Sequence, residues 1–113
     1  MKEIFEQIKA ERKRQDAKWG VQNLPSVCKI LTDRVGGCSP VRMCEEYEIP
    51  TESRAKQLCD TATRRGELTH AHIVLEELSE SVSCLNDADR RVELIQLAAT
   101  IVKWIENIDR NNL

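Results

Sequence analysis

Glu76, Glu77 and Glu80, followed by Glu93 and Gln96, are the residues of this chain whose types and spacing could do chemistry. Glu77 and Glu80 stand three apart, so on a helix they are neighbours on one face, and Glu93 and Gln96 repeat that spacing. Two such pairs opposed across an antiparallel hairpin would make an oxygen-rich cage for a hard cation. Magnesium suits it best, with manganese as the alternative, because magnesium takes a few carboxylates and completes its octahedron with waters and phosphate oxygens. Such an ion would help activate an attacking water, with Glu76 beside it either as the base or as a support behind the ligands. The same glutamates also fit a plainer reading, an acidic helix face that only meets water.

The elements that must position these residues read as helices. Thr69 caps one, with Leu68 placed to staple onto Ile73. On it Val74, Leu75, Leu78, Val82 and Leu85 fall within an arc of roughly 100°, the expected core face, while Glu76, Glu77 and Glu80 occupy a second arc. After a turn at Asn86 and Asp87, residues 89–109 carry apolar side chains around most of the circumference. Only Glu93, Gln96, Thr100, Lys103 and Asn107 share a polar stripe, roughly 80° wide. A helix apolar on nearly every side is expected to be central, covered by its own subunit and by a partner subunit. Its polar stripe must meet water or find partners, and a short turn would fold it against the acidic arc.

Two further helices are expected. In residues 2–19, Ile4, Phe5 and Ile8 start an apolar stripe that continues as Glu11, Gln15 and Lys18 before Gly20 ends it. That polar half either protrudes into solvent or lines a site at the end of a bundle. Thr51 opens the other helix, with Glu52 in its first turn and Gly66 after its end. Between them, residues 21–48 lose periodicity around Pro25, Gly36, Gly37 and Pro40, and read as an irregular insert or loop able to cover a substrate, with short helical turns conceivable near Val27 to Leu31.

The length, 113 residues, fits one domain, and the whole chain is read as one helical unit. Aromatic residues make up only 4%, which favours aliphatic helices over a sheet sandwich. A net charge of −2, from 17 basic and 19 acidic residues, provides no positive field for stable nucleic-acid binding. No apolar run approaches a membrane span and the N-terminus is charged rather than signal-like, so the chain reads as cytoplasmic. Five cysteines without a C-x-x-C pair read as free thiols. A zinc site built from Cys28, Cys38 and Cys44 with His70 or His72 is the rival reading, although the spacing is unlike common zinc patterns. His70 and His72 otherwise read as surface residues.

The run Leu75-Glu76-Glu77-Leu78-Ser79-Glu80, then Glu93-Leu94-Ile95-Gln96, resembles the E-E-x-x-E, E-x-x-D signature of the MazG-like all-α nucleotide pyrophosphohydrolases. Glu11-Arg12 through Gln15 to Lys18-Trp19-Gly20, and Arg65-Gly66-Glu67-Leu68-Thr69, are similar to small phage-type and prophage-type members. The resemblance covers the N-terminal helix and residues 51–109, not 21–48. It implies an all-α antiparallel bundle of about four main helices, completed as a homodimer or homotetramer, that cleaves (d)NTP to (d)NMP and pyrophosphate with Mg2+. Glu77, Glu80, Glu93 and Gln96 would then be the metal ligands and Glu76 and Glu77 the catalytic pair. Glu11, Gln15, Lys18, Trp19, Arg54, Lys56 and Lys103 would contact the nucleotide, the basic ones through phosphate oxygens. Trp19 or Tyr47 could stack on a base, and Trp19 fits helix-end packing equally well. Gln96 stands where the family has Asp; its amide oxygen can ligate a metal but brings no charge. Either an enzyme needing fewer metals or a protein that binds and sequesters nucleotide without cutting it follows from that exchange.

Overall fold

A computed structural model of the chain describes residues 2–28 and 39–112. Among them every regular element is a helix: α1 (Lys2–Trp19), α2 (Pro40–Glu46), α3 (Glu52–Arg64), α4 (His70–Ser83) and α5 (Asp87–Asn111). None is long and apolar enough to cross a membrane.

The ends follow local chemistry. Ser39, Thr51, Thr69 and Asn86 each present a side-chain oxygen to a backbone N–H in the first turn of the following helix, satisfying donors that the helix itself leaves free. At the start of α4 the reciprocal half of the cap comes from His72, whose Nδ1 accepts from the Thr69 N–H at 3.1 Å. Gly20 and Gly66 end α1 and α3 with φ of 71° and 67°, a left-handed turn that glycine enters without a Cβ penalty. Glu67 N–H then donates to Ala62 O at 2.8 Å.

Helix α2 falls within the stretch whose lost periodicity reads as irregular. The reason is Pro40. It looks like a breaker in sequence, yet it occupies the first turn behind the Ser39 cap, where its missing N–H removes nothing and its fixed φ suits the helix. The turns considered near Val27 to Leu31 lie largely outside the described residues.

Helix α4 is the hub, packing against α5 on one side and against α2 and α3 on the other, while α1 touches the other helices only slightly. Of the cover expected for α5 from its own subunit and a partner subunit, one chain supplies the α4 side. Within one chain α5 buries only Arg90 and Val102 and leaves Val92, Leu94, Ile95, Ile101 and Ile108 exposed. The molecule is thin, 54 × 44 × 21 Å, about two helix diameters deep, so one chain has too little thickness to cover α5 on a second side.

The expected core face of α4 is also redrawn. Val74, Leu75, Leu78 and Val82 are half-buried and Leu85 is 67% exposed, whereas Ser79, Ser81 and Ser83 are the buried residues. Ser79 Oγ donates to Pro50 O at 2.9 Å and Ser81 Oγ to Glu77 O at 2.8 Å. Ser83 Oγ lies 3.1 Å from the buried Cys44 Sγ. Small side chains let α2 and the Pro50 segment approach α4 closely, and their hydroxyls, being hydrogen-bonded, avoid the penalty of buried unpaired polar groups. Met43 sits beside them, packed against Cys28 and Val82.

Candidate metal centre

The hairpin of α4 and α5 brings Glu77, Glu80 and Glu93 together. One carboxylate oxygen from each lies within 4.8 Å of the others, and this is the sole group of three potential metal ligands of the His, Cys, Asp or Glu types among the described residues. All three side chains are half-buried. Glu77 and Glu80 project from adjacent turns of α4, and the three-residue link at Cys84–Asn86 returns α5 so that Glu93 faces them. One oxygen of Glu77 and one of Glu93 are buried with no hydrogen-bond partner among the described residues.

The electrostatics are those of carboxylates held together without a cation. Burial, then the charge of Glu93 and of Glu76, pushes the Glu77 carboxyl above its ordinary range. Burial and the charge of Glu77, then a hydrogen bond with Glu93 and the charges of Glu93 and Glu76, push Glu80 up to about 7. No ion pair joins a Lys or Arg to the cluster among the described residues. Like charges this close in a partly desolvated seam repel, and a proton or a cation relieves them.

Glu76 points to a different neighbour. Its carboxylate lies by Cys59, whose thiol is raised to about 12 by burial first and then by hydrogen bonding and charge from Glu76. Cys59 Sγ donates to His72 O at 3.2 Å, so this thiol stays protonated and unreactive near neutral pH. Gln96 is exposed, one turn beyond Glu93, with its backbone carbonyl accepting from Thr100 Oγ1 at 2.8 Å.

Glu11, Gln15, Lys18 and Trp19 do gather, joined by Arg14, around a shallow groove of about 130 Å³ on α1. Arg14 pairs with Glu11 at 2.5 Å, Gln15 Nε2 donates to Glu11 at 3.3 Å, and Lys18 Nζ sits 4.6 Å from the centre of the Trp19 ring. Because α1 makes only slight contact with the other helices, this group and the glutamates form two separate clusters. Arg54 and Lys56 on α3 and Lys103 on α5 are exposed; Arg54 donates to Gln57 at 3.1 Å. Tyr47 OH accepts from the Cys28 N–H at 2.6 Å, so its hydroxyl ties the 24–28 segment to the end of α2.

The described cysteines and histidines do not converge. Cys44 is bonded to Ser83 and to Ser79 O, His72 caps α4, and His70 stacks on Trp104 with ring centres 5.9 Å apart; Cys38 lies outside the described residues. Arg90 is buried beside the hairpin turn without being singled out by any sequence motif. Arg90 did leave a signal, since a basic side chain in the first turn of a helix opposes the dipole and asks for a partner elsewhere.

No protein-family model, curated protein or solved structure matches this chain.

Proposed function

We propose that the chain is a MazG-like, Mg2+-dependent nucleotide pyrophosphohydrolase that converts a (d)NTP to the monophosphate and pyrophosphate. The observation that carries this reading is the Glu77–Glu80–Glu93 cluster, with two buried carboxylate oxygens lacking a hydrogen-bond partner and no ion pair to a Lys or Arg among the described residues. Hard oxygen donors of this kind suit Mg2+ or Mn2+, which would supply Lewis-acid stabilisation of the phosphate charge. Glu77 would hold the ion and share with Glu76, whose carboxylate would have to turn from Cys59, the task of taking a proton from the attacking water. Water adds to the α-phosphorus as the bond to the bridging oxygen breaks, and pyrophosphate leaves. Lys18, Arg54, Lys56 and Lys103 are the cations for the phosphates. Glu11, Gln15 and Trp19 contact the nucleoside.

A second copy of the chain completes the unit as a dimer or tetramer. Leu94, Ile101 and Ile108 recur at heptad intervals along an exposed side of α5, a seam suited to another helix. Packing of copies also gives the α1 groove of one chain a route to the glutamates of another. One specific observation favours the sequestering alternative: the position expected to supply the fourth ligand carboxylate is Gln96, which brings no charge and is exposed where the three glutamates are half-buried.

The decisive assay incubates the protein with Mg2+ and a panel of ribo- and deoxyribonucleotides. Release of pyrophosphate, lost in Glu77→Gln, supports the hydrolase. Tight nucleotide binding without product supports sequestration, and neither binding nor turnover removes both readings.

A further inference from the structure

The geometry points to Arg90 as the positioning residue of the glutamate cluster: its guanidinium, folded back onto the last carbonyls of α4, fixes the register of the α4–α5 hairpin and so the approach of Glu93 to Glu80.

Arg90 is buried, 7% exposed, although it belongs to the first turn of α5. Its Nε donates to Ser81 O at 3.0 Å, one Nη donates to Cys84 O, and the other pairs with Asp87 at 2.5 Å. Helix α4 lacks the usual means of ending. Its last turn holds no basic residue, and its C-cap, Cys84, is extended at φ −61°, ψ 141° rather than left-handed. At that end Ser81 O and the Cys84 O of the cap are satisfied from the next helix, while Glu80 O accepts from Cys84 Sγ at 3.2 Å. A guanidinium can do this because its planar fork holds several donors in fixed directions, whereas an ammonium on a flexible stem cannot span the same set.

The three groups held by this fork sit at three points of the hairpin: the end of α4, the turn, and the start of α5. Glu80 directly precedes Ser81, and Glu93 lies one helical turn beyond Arg90 on the same side of α5. A slip of α5 along α4 must therefore break the fork and separate the glutamates together. At the opposite end of the hairpin, the stack of His70 on Trp104 holds the helices without touching the cluster. The charge of Arg90 is not among the influences that shift Glu77 or Glu80, so its action is through position.

The metal consequence rests on the proposed function, but the positional claim does not, and two measurements separate them. In the first, Mn2+ binding is followed by the paramagnetic resonance of the free ion, well below each variant's melting temperature. Arg90→Gln should weaken binding at least tenfold, Arg90→Lys by less, and the control His70→Ala should bind as wild type even where it melts lower. In the second, without metal, the pair Glu80→Cys and Glu93→Cys is oxidised and the cross-linked peptide quantified by mass spectrometry. Adding Arg90→Gln, or Arg90→Lys if the first variant does not fold, should slow cross-linking at least fivefold. Equal cross-linking rates with and without Arg90 would overturn the proposal, as would wild-type Mn2+ affinity in both Arg90 variants. If the wild type binds no Mn2+, the metal reading fails and the cross-linking result alone decides the role of Arg90.

Discussion

Glu77 on α4 and Glu93 on α5 each bury a carboxylate oxygen without a hydrogen-bond partner among the described residues, in the same seam where their charges meet. Burying polar atoms unpaired opposes folding, and like charges add to the penalty. A site whose cation-free form is strained in this way converts ion binding into stability.

The strain has a pH signature. With Glu80 raised to about 7 and Glu77 raised as well, the folded chain holds protons that the unfolded chain has already released above the ordinary carboxylate range. Stability of the metal-free protein should therefore be highest below about pH 4.5 as far as these two groups are concerned, and fall as pH rises to about 7. Melting without metal, measured from pH 5 to 8 in wild type and Glu80→Gln, should show a downward slope in the wild type that the variant flattens.

Neutralising one carboxylate should separate stability from function. At pH 8 without metal, Glu80→Gln should melt higher than wild type, by about 0.5–2 kcal/mol of stability, the usual yield when a functional strain is removed. The rise in melting temperature on adding Mg2+ should shrink sharply in the same variant. A metal response equal to that of wild type would place the ion elsewhere.

The exposed apolar side of α5 makes association measurable. Light scattering coupled to size exclusion should report a dimer or tetramer, and Leu94→Arg with Ile101→Arg should yield monomers. A wild type that is monomeric at all concentrations would remove the second copy from the proposal.

The buried serines of α4 should resist enlargement. Ser79→Ala loses the bond to Pro50 O and should cost about 1 kcal/mol. Ser79→Leu must push apart α4 and its neighbours, for a loss of about 1–3 kcal/mol in thermal or urea unfolding. A stabilised leucine variant would mean that α2 and the Pro50 segment do not pack on α4 as described.

The all-helical class and most helix ends were legible because they depend on neighbours in sequence: the caps at Thr51 and Thr69, and the glycine stops at Gly20 and Gly66. Glu77, Glu80 and Glu93 were legible for a related reason, since three-residue spacing and a short turn determine which side chains meet. Helix α2 was hidden because Pro40 carries opposite meanings at a helix start and in its interior. The buried face of α4 was misread because periodicity registers the large apolar residues, whereas the close approach of α2 selects the small ones, Ser79 and Ser83. The apolar circumference of α5 was legible, but what covers it was not, because its exposed side chains, Leu94 and Ile101 among them, exceed what the other described helices of one chain cover. The separation of the α1 group from the glutamates depends on tertiary placement, which no local pattern in residues 2–19 encodes.

The central claim is cleavage between the α- and β-phosphates at the glutamate cluster, and its most direct test is phosphorus NMR of products formed in 18O-enriched water with Mg2+. The expected result is nucleoside monophosphate carrying the label, unlabelled pyrophosphate, and neither product from Glu77→Gln. Label in pyrophosphate or orthophosphate, or no product from any nucleotide, would contradict it.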